Sequence, residues 1–329
     1  MTAIGPGSGC LHAGRHDRHR TPAHPAHAGD DSPGGPGFRL GLDVGGSKTH
    51  GVILAPDGSV LADQVAPTET GPAGVFATCM RVALACLDAA GVEIGSAGVG
   101  IPGLVDAATG EVRSAVNLEI DHLPLGARLS RAWGVPVRVE NDVKAAALGA
   151  RQLLGEDDLA LVNIGTGVAA AAIVDGRLVR GPGNEAGEVG HLPIDPAGPW
   201  CGCGQRGCIE AFAGGGGISA RLAGVPGVAL PTLVDAARAG HPAAREEVHR
   251  ICTGIAAAVQ VSVLALGSPV VVLTGGVIHV APGLVDETRA LLRAQAAASA
   301  FVASLALDHR IITLPSGQAV GALGAALLA

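Results

Sequence analysis

The sequence predicts an α/β protein of two lobes with a cleft between them. The pattern strand, glycine turn, strand, strand, helix begins near residue 40, and strand, glycine turn, strand returns near residue 160. The two halves therefore look like variants of one unit. Ligands of such folds favour the carboxyl ends of strands, so the cleft is the expected site. The length of 329 residues is generous for one core and natural for two.

Composition excludes several classes of protein. Hydrophobic residues make up 48% of the chain and charged residues 16%, which is typical of a globular protein. With a formal net charge of −7 and 2% aromatic residues, the chain lacks the basic surface and stacking rings of a general nucleic-acid binder. The most apolar window, residues 255–273, is interrupted by polar residues, Gly267 and Pro269, so a buried helix and strand are expected there rather than a membrane span. No secretory signal is visible, and a cytoplasmic protein without membrane partners is predicted.

Local patterns place the elements in order. Residues 1–37 are rich in Gly, Pro and His and are predicted to be a disordered tail. Apolar runs bounded by glycine, proline and aspartate turns predict strands at 38–44, 49–54, 60–65, 97–101, 135–139, 159–164, 169–174, 270–273 and 311–314. Helical spacing predicts helices at 75–90, 125–133, 143–154, 242–266, 284–298 and 318–328.

The first glycine turn nearly matches a P-loop. That motif needs Gly-Lys-Ser/Thr followed by a helix, whereas Ser47 separates Gly46 from Lys48 and a second strand follows. The sequence predicts instead a hairpin whose residues Gly45 to Lys48 bring backbone N–H groups close to a phosphate. Asp43 would repel the phosphate directly, so it is expected to act through Mg²⁺ or its water shell.

Two further glycine turns follow strands. Gly165, Thr166 and Gly167 begin a loose dinucleotide-binding pattern, but a strand rather than a helix comes next, so a second phosphate hairpin is favoured over an NAD site. Gly275 and Gly276 follow the strand at 270–273 and are suited to close approach of a nucleoside.

The triplet from Glu140 to Asp142 joins a predicted strand to a predicted helix. Asn141 or Asp142 is suited to cap the helix, and a carboxylate there is also well placed to accept a proton from a substrate hydroxyl. The triplet alone favours a plain cap. Its combination with the phosphate hairpins favours a catalytic carboxylate.

A cysteine cluster predicts a metal site. Three of the seven cysteines fall in a short glycine-rich stretch, at Cys201, Cys203 and Cys208, and His191 precedes them. Such a set suits a tetrahedral, structural Zn²⁺ and a reducing compartment. Glu188 and Glu210 bracket the cluster, and a folded loop would hold both near His191.

These motifs together resemble the ROK family of bacterial sugar kinases and sugar-responsive repressors. The most specific elements are Glu188-x-Gly-His191 and the run from Cys201 to Glu210, and the resemblance extends from Phe38 to the C-terminus. It implies an actin-like ATPase (ribonuclease H-like) fold in which the last helix packs back on the first lobe. The implied lobes are residues 38–140 plus 316–329 and residues 141–315.

The resemblance also implies roles. Asp142 would be the general base, Asn141, Glu188, His191 and Glu210 would bind sugar hydroxyls, and His191 would also bind zinc with the three cysteines. The implied reaction is phosphorylation of a hexose by ATP with Mg²⁺, with glucose as the predicted substrate. N-acetylglucosamine, N-acetylmannosamine, fructose, an amino sugar, another phosphate donor or a non-catalytic sugar sensor remain alternatives.

The resemblance further implies a dimer or tetramer. The sequence also departs from the family's usual pattern at several positions. The repressors of the family carry a DNA-binding head, and the first 37 residues show no helical periodicity that predicts one. Lys144 stands where the family usually has asparagine, Ala150-Arg151 where Gly/Ala-Glu is usual, and residues 169–171 are alanines where glycine is frequent.

Overall fold

The computed structural model describes residues 37–223, 225–226, 228–315 and 317–329, so the predicted tail lies outside the described residues except for Gly37. The strands are β1 (Phe38–Val44), β2 (Lys48–Leu54), β3 (Val60–Pro67), β4 (Ile94–Ile101), β5 (Leu104–Asp106), β6 (Glu111–Ala115), β7 (Ile120–Leu123), β8 (Val137–Asn141), β9 (Leu159–Ile164), β10 (Val168–Val174), β11 (Arg177–Leu178), β12 (Val271–Thr274) and β13 (Ile311–Thr313). The helices are α1 (Gly71–Ala90), α2 (Leu125–Trp133), α3 (Asp142–Leu154), α4 (Ile209–Ala213), α5 (Gly215–Leu222), α6 (Leu233–Arg238), α7 (Pro242–Leu266), α8 (Gly276–Val280), α9 (Gly283–Ala297), α10 (Ala300–Leu305), α11 (Leu307–Arg310) and α12 (Val320–Leu328).

The described residues form two five-stranded sheets of the same design. The first has the order β3-β2-β1-β4-β8, and the second has the order β11-β10-β9-β12-β13. In each, three strands make antiparallel hairpins and the remaining two join in parallel through helical crossovers. The predicted repeat of one unit is therefore confirmed. Both glycine turns that were tested as nucleotide motifs join antiparallel strands, so the P-loop and NAD interpretations are excluded by topology.

The last helix packs against the first sheet. Glycines make the close approach possible: a Cβ on Gly41 of β1 or on Gly98 of β4 would overlap carbonyl groups of α12. Gly149 of α3 and Gly324 of α12 meet in the same way on the other side of the helix. The return of the C-terminal helix that the resemblance implies is thus confirmed, whereas the exact division into lobes stays a prediction.

One sheet was not predicted. Residues 104–123, for which the sequence analysis gives no element, form the antiparallel meander β5-β6-β7. Val105, Val112 and Leu123 anchor it in the core of the first sheet. The short helices α4, α5, α6, α8, α10 and α11 and the short strand β11 also have no counterpart among the predicted elements. The elements that were predicted differ by a few residues: α1 begins at Gly71, β8 runs to Asn141 and α12 begins at Val320.

Among the described residues, α1 and α7 are long and apolar enough to cross a membrane by length and composition alone. In α7, however, Ile251, Ile255 and Val259 are fully buried in the core of the second sheet. This helix therefore packs inside the protein, and the predicted buried helix and strand in the most apolar window are confirmed.

Candidate active site

The strand register brings the candidate carboxylates to one edge of the first sheet. Asp43 of β1 lies opposite Gly100 of β4, and Gly100 lies opposite Glu140 of β8. These strands are parallel, so their carboxyl ends share an edge, and the helix α3 starts there with Asp142. Gly100 has no side chain, which lets α3 begin close to β4. A Cβ on Gly100 would stand 3.0 Å from the Ala145 Cβ and 3.4 Å from the Asp142 Cα.

Asn141 and Asp142 have different contacts at the start of α3. The Asn141 side chain is the cap: its Oδ1 accepts hydrogen bonds from the backbone N–H of Val143 at 3.0 Å and of Lys144 at 3.3 Å. Asp142 Oδ1 also accepts from the Val143 N–H, at 3.0 Å. Burial raises the pKa of Asp142 to about 6, against the hydrogen bond from Val143 and with a smaller contribution from the charge of Glu188. Asn141 is thus confirmed as the cap, and the Asp142 carboxylate has an oxygen that does not cap the helix.

Asp43 is the second carboxylate of this edge. Its pKa is raised to about 7, mainly by burial and in part by the charge of Asp142, and the charge of Lys48 opposes both effects. Gly321 of α12 lies directly against it, because a Cβ at that position would overlap the Asp43 carboxylate. The C-terminal helix therefore forms one wall of the site.

The first hairpin presents exposed residues beside Asp43. The Gly45 N–H donates to the Lys48 carbonyl at 2.9 Å, which closes the turn, and the Thr68 N–H donates to the Ser47 carbonyl at 3.1 Å. Gly46, Ser47 and Lys48 are exposed. A tight turn with free backbone donors at a strand end is the geometry predicted for a phosphate contact.

The second and third glycine turns lie next to one another at the carboxyl ends of β9 and β12. The Gly165 N–H donates to the Gly167 carbonyl at 3.0 Å, which closes the second turn. Gly275, with φ 99°, packs so closely on β9 that a Cβ would overlap the Ile164 carbonyl. Thr166 and Gly276 are exposed. The structure therefore brings together two of the three turns that were predicted from the sequence.

A glycine run that the sequence analysis did not assign supports the second turn. The N–H groups of Gly215 and Gly216, at the start of α5, donate to the carbonyls of Gly165 at 2.8 Å and Thr166 at 3.0 Å. The run Gly214 to Gly217 was visible in the sequence, and its proximity to Glu210 was the available signal.

Glu210 links the second turn to the cysteine loop. Its Oε2 accepts a hydrogen bond from the Val168 N–H at 3.1 Å, and its Oε1 lies 3.7 Å from the Cys201 thiol. A Cβ on Gly167 would overlap the Glu210 carboxylate, so the glycine lets Glu210 lie against the second turn. Glu210 thus has a structural contact in addition to the sugar-binding role predicted for it.

The four predicted metal ligands converge. One donor atom each from His191, Cys201, Cys203 and Cys208 lies within 4.8 Å of the others. Cys203 Sγ is 3.7 Å from Cys208 Sγ, and Cys201 Sγ is 3.8 Å from His191 Nδ1. A zinc–sulfur bond of about 2.3 Å in a tetrahedron separates neighbouring sulfurs by about 3.8 Å. Both the donor set and its spacing therefore fit a structural Zn²⁺.

Glu188 and His191 lie on the open side of this loop. His191 Nε2 is 4.0 Å from Glu188 Oε2, and the two side chains are 39% and 49% exposed. The other ring nitrogen, Nδ1, faces the cysteines. One histidine is thus placed to serve a metal with one nitrogen and a ligand with the other.

A buried polar network beneath Asp142 was missed. Glu140 is 1% exposed, and its Oε2 accepts from Arg180 Nε at 2.7 Å. Its Oε1 accepts from Asn184 Nδ2 at 2.9 Å, and Lys144 Nζ donates to the Asn184 carbonyl at 2.8 Å. The available signal was a lysine beside a candidate catalytic residue.

The duplicated α/β unit, the three glycine turns and the carboxylate edge define an actin-like ATPase fold. Residues 39–329 match the sequence model of the ROK family. The chain therefore belongs to the ROK family, and the resemblance drawn from its motifs is confirmed.

Relatives of known structure or name agree with this. An N-acetylmannosamine kinase of Escherichia coli is 32% identical over 301 residues, covering 88% of this chain and 97% of the relative. The ROK hexokinase of Thermus thermophilus has a TM-score of 0.74 at 30% identity, covering 89% of this chain and 97% of that one. A ROK glucokinase from Streptomyces griseus, solved with glucose and AMPPNP, has a TM-score of 0.71 at 25% identity and covers 89% and 99% of the two chains.

Proposed function

We propose that the protein transfers the terminal phosphoryl group of ATP to a hydroxyl of glucose, giving glucose 6-phosphate. That it is an ATP-dependent sugar kinase follows from its family and relatives. The assignment of the site rests on Asp142. Its carboxylate has a raised pKa and lies where the carboxyl ends of three strands meet the start of one helix. A base of that kind is what activation of an alcohol requires.

Asp142 accepts the proton of the sugar hydroxyl. With a pKa of about 6 it is mostly ionised at neutral pH, and its basicity is higher than that of an ordinary aspartate. The Val143 N–H fixes one carboxylate oxygen, so the orientation of the other toward the hydroxyl is set before the sugar binds. Such preorganisation accounts for much of the acceleration in phosphoryl transfer.

Asp43 and the glycine turns serve the nucleotide. Asp43 and Asp142 share one edge of the sheet, and the charge of Asp142 raises the pKa of Asp43. A divalent cation that prefers oxygen ligands would stabilise this pair of carboxylates. Mg²⁺, when bound, offsets charge on the phosphates. Asp43 would hold water ligands of that ion, the turns at 45–48 and 165–167 donate to phosphates from the N–H groups that do not close the turns, and Gly275 and Gly276 leave room for the nucleoside.

Asn141, Glu188, His191 and Glu210 bind the sugar. Zinc, when bound, would hold His191 in the cysteine loop, and Glu210 joins that loop to the second hairpin through the Val168 N–H. Carboxylates accept hydrogen bonds from the hydroxyl donors of a hexose, whereas an acetamido group replaces one hydroxyl by a bulkier group with one N–H donor and one carbonyl acceptor. Glu188 and His191 are partly exposed without a ligand, so the penalty applies where the bound sugar covers them: an acceptor that is then left unmatched would cost about 1–3 kcal/mol.

N-acetylmannosamine is the second candidate acceptor, because the relative from Escherichia coli phosphorylates it by name and is 32% identical. ADP release with Mg²⁺ and ATP, measured over glucose, N-acetylmannosamine, N-acetylglucosamine, mannose and fructose, separates the two. We expect the highest kcat/KM with glucose. A higher value with N-acetylmannosamine would replace the substrate, and binding of sugar without turnover would leave a sugar sensor.

The reaction would place the protein in glycolysis in the cytoplasm, where cysteine ligands stay reduced. The family resemblance implies a dimer or tetramer. Light scattering coupled to gel filtration, with and without glucose, tests that prediction.

A further inference from the structure

Lysine is rare in this chain and concentrated at the site. The sequence contains 20 arginines but only two lysines, Lys48 and Lys144. Lys48 belongs to the first hairpin, beside Asp43, and Lys144 follows Asp142 by two residues on α3. Lys48 already has a role in the proposed nucleotide site, whereas Lys144 is not part of any role described above.

Lys144 lies in an unfavourable place for a cation. It is 4% exposed, and it belongs to the first turn of α3, where the helix dipole disfavours positive charge. Burial lowers its pKa, and the charges of Glu140, Glu188 and Glu185 oppose that effect while Arg180 adds to it. A buried cation needs compensating hydrogen bonds and counter-charges, and here the carbonyl of Asn184 and three carboxylates supply them.

The partner of Lys144 is itself firmly held. Asn184 has a left-handed backbone with φ 62°. Its Nδ2 donates to the Glu140 carboxylate at 2.9 Å and to the Val105 carbonyl at 2.8 Å. The Glu140 carboxylate also accepts from the Asn141 N–H at 2.9 Å. The hydrogen bonds therefore form a closed path from β8 through Asn184 to α3.

This path connects the proposed base to the proposed sugar ligands. We propose that Lys144 is a positioning residue, which fixes residues 181–188 against the first turn of α3 through the Asn184 carbonyl. The segment ends in Glu188, and α3 begins with Asp142, so the hydrogen bond sets the distance between the proposed base and the carboxylate that binds the sugar. The catalytic part of this inference rests on the proposed function, whereas the structural part does not.

Lys144 also acts on Asp142 through its charge. Glu188, from the 181–188 segment, raises the pKa of Asp142, and Asp43, from β1, is a further acid that shares this edge. Lys144 opposes them and lowers the pKa of Asp142. Loss of the lysine should therefore leave Asp142 protonated at higher pH.

The structural part is tested by hydrogen–deuterium exchange. Lys144→Met keeps the length of the side chain but removes the ammonium donor. Peptides covering residues 181–188 should exchange about tenfold faster than in the wild type, because the hydrogen bond that ties the Asn184 backbone to α3 is lost while the bonds of the Asn184 side chain remain. Arg151→Met is the matched control: it removes a cation from the same helix, but one whose ion pair with Asp157 at 2.6 Å is exposed. Equal exchange in Lys144→Met and the control would overturn the proposal.

The catalytic part is tested by pH profiles of kcat/KM. In Lys144→Met the acid limb should move to higher pH and kcat should fall about tenfold, whereas Arg151→Met should keep the wild-type limb. Lys144→Arg retains a cation and donors, and it should restore both the limb and the exchange protection. A uniform loss of rate with an unmoved limb would reduce Lys144 to a packing residue.

The variant Asp142→Asn separates the proposed function from the role of Lys144. Full activity of Asp142→Asn would remove the proposed base, yet the exchange experiment would still decide whether Lys144 anchors residues 181–188. If Asp142→Asn is inactive and Lys144→Met behaves as the wild type in both measurements, the proposed function stands and only the role of Lys144 is wrong.

Discussion

Replacing Asp142 with asparagine should make the protein more stable and nearly inactive. Asparagine keeps the shape and the oxygen that accepts from the Val143 N–H, so the start of α3 should stay intact. It removes the carboxylate, and with it the proposed base. Loss of a general base typically costs about a hundred- to ten-thousandfold in rate.

The gain in stability follows from the pKa. Burial raises the pKa of Asp142 from 3.8 to about 6. A shift of about two pH units corresponds to about 3 kcal/mol, and residual solvent contact lowers this to about 2 kcal/mol. The folded state binds the proton more tightly than the unfolded state, so this group destabilises the fold as the pH rises through that interval. The penalty is complete above the folded pKa and vanishes below the unfolded one.

Urea unfolding at two pH values measures the effect. At about pH 8 the free energy of unfolding of Asp142→Asn should exceed that of the wild type by about 2 kcal/mol, and at about pH 4.5 the difference should shrink. Asp88→Asn changes an exposed aspartate of α1 and should alter neither stability nor activity. The reasoning is refuted if Asp142→Asn is less stable at high pH, if the difference does not depend on pH, or if substantial activity remains.

Three further changes test other parts of the site. Cys203→Ser should release bound zinc and destabilise the cysteine loop, and metal analysis that finds no zinc in active wild-type protein would contradict this. Gly321→Ala should lower activity with Mg²⁺ because the new methyl meets the Asp43 carboxylate, whereas Gly95→Ala, whose Cβ would have no neighbour closer than 4.0 Å, should not. Deletion of residues 1–37 should leave kcat/KM unchanged, and a marked loss would assign the tail a role.

Prediction from sequence succeeded where the signal is local. The glycine hairpins, the Asn141 cap and the cysteine cluster depend on residues close together in the chain, whose conformational preferences act before any packing. The meander β5-β6-β7 was missed because its strands are short and carry exposed polar residues, so no long apolar run marks them. Its strands are held by Val105, Val112 and Leu123 in the core of the first sheet.

The sequence alone determined the repeated α/β unit, the family and the identities of the candidate base and metal ligands, because periodicity and motif spacing are properties of the chain itself. Tertiary structure alone decided the surroundings of Asp142. Lys144 meets Asn184 across 40 residues of sequence, and Asn184 meets Glu140 across 44. Such pairs depend on strand register and on helix docking, which no local pattern encodes. The pKa of Asp142, the proposed base, is set in the same way, by burial that exists only once the chain has folded.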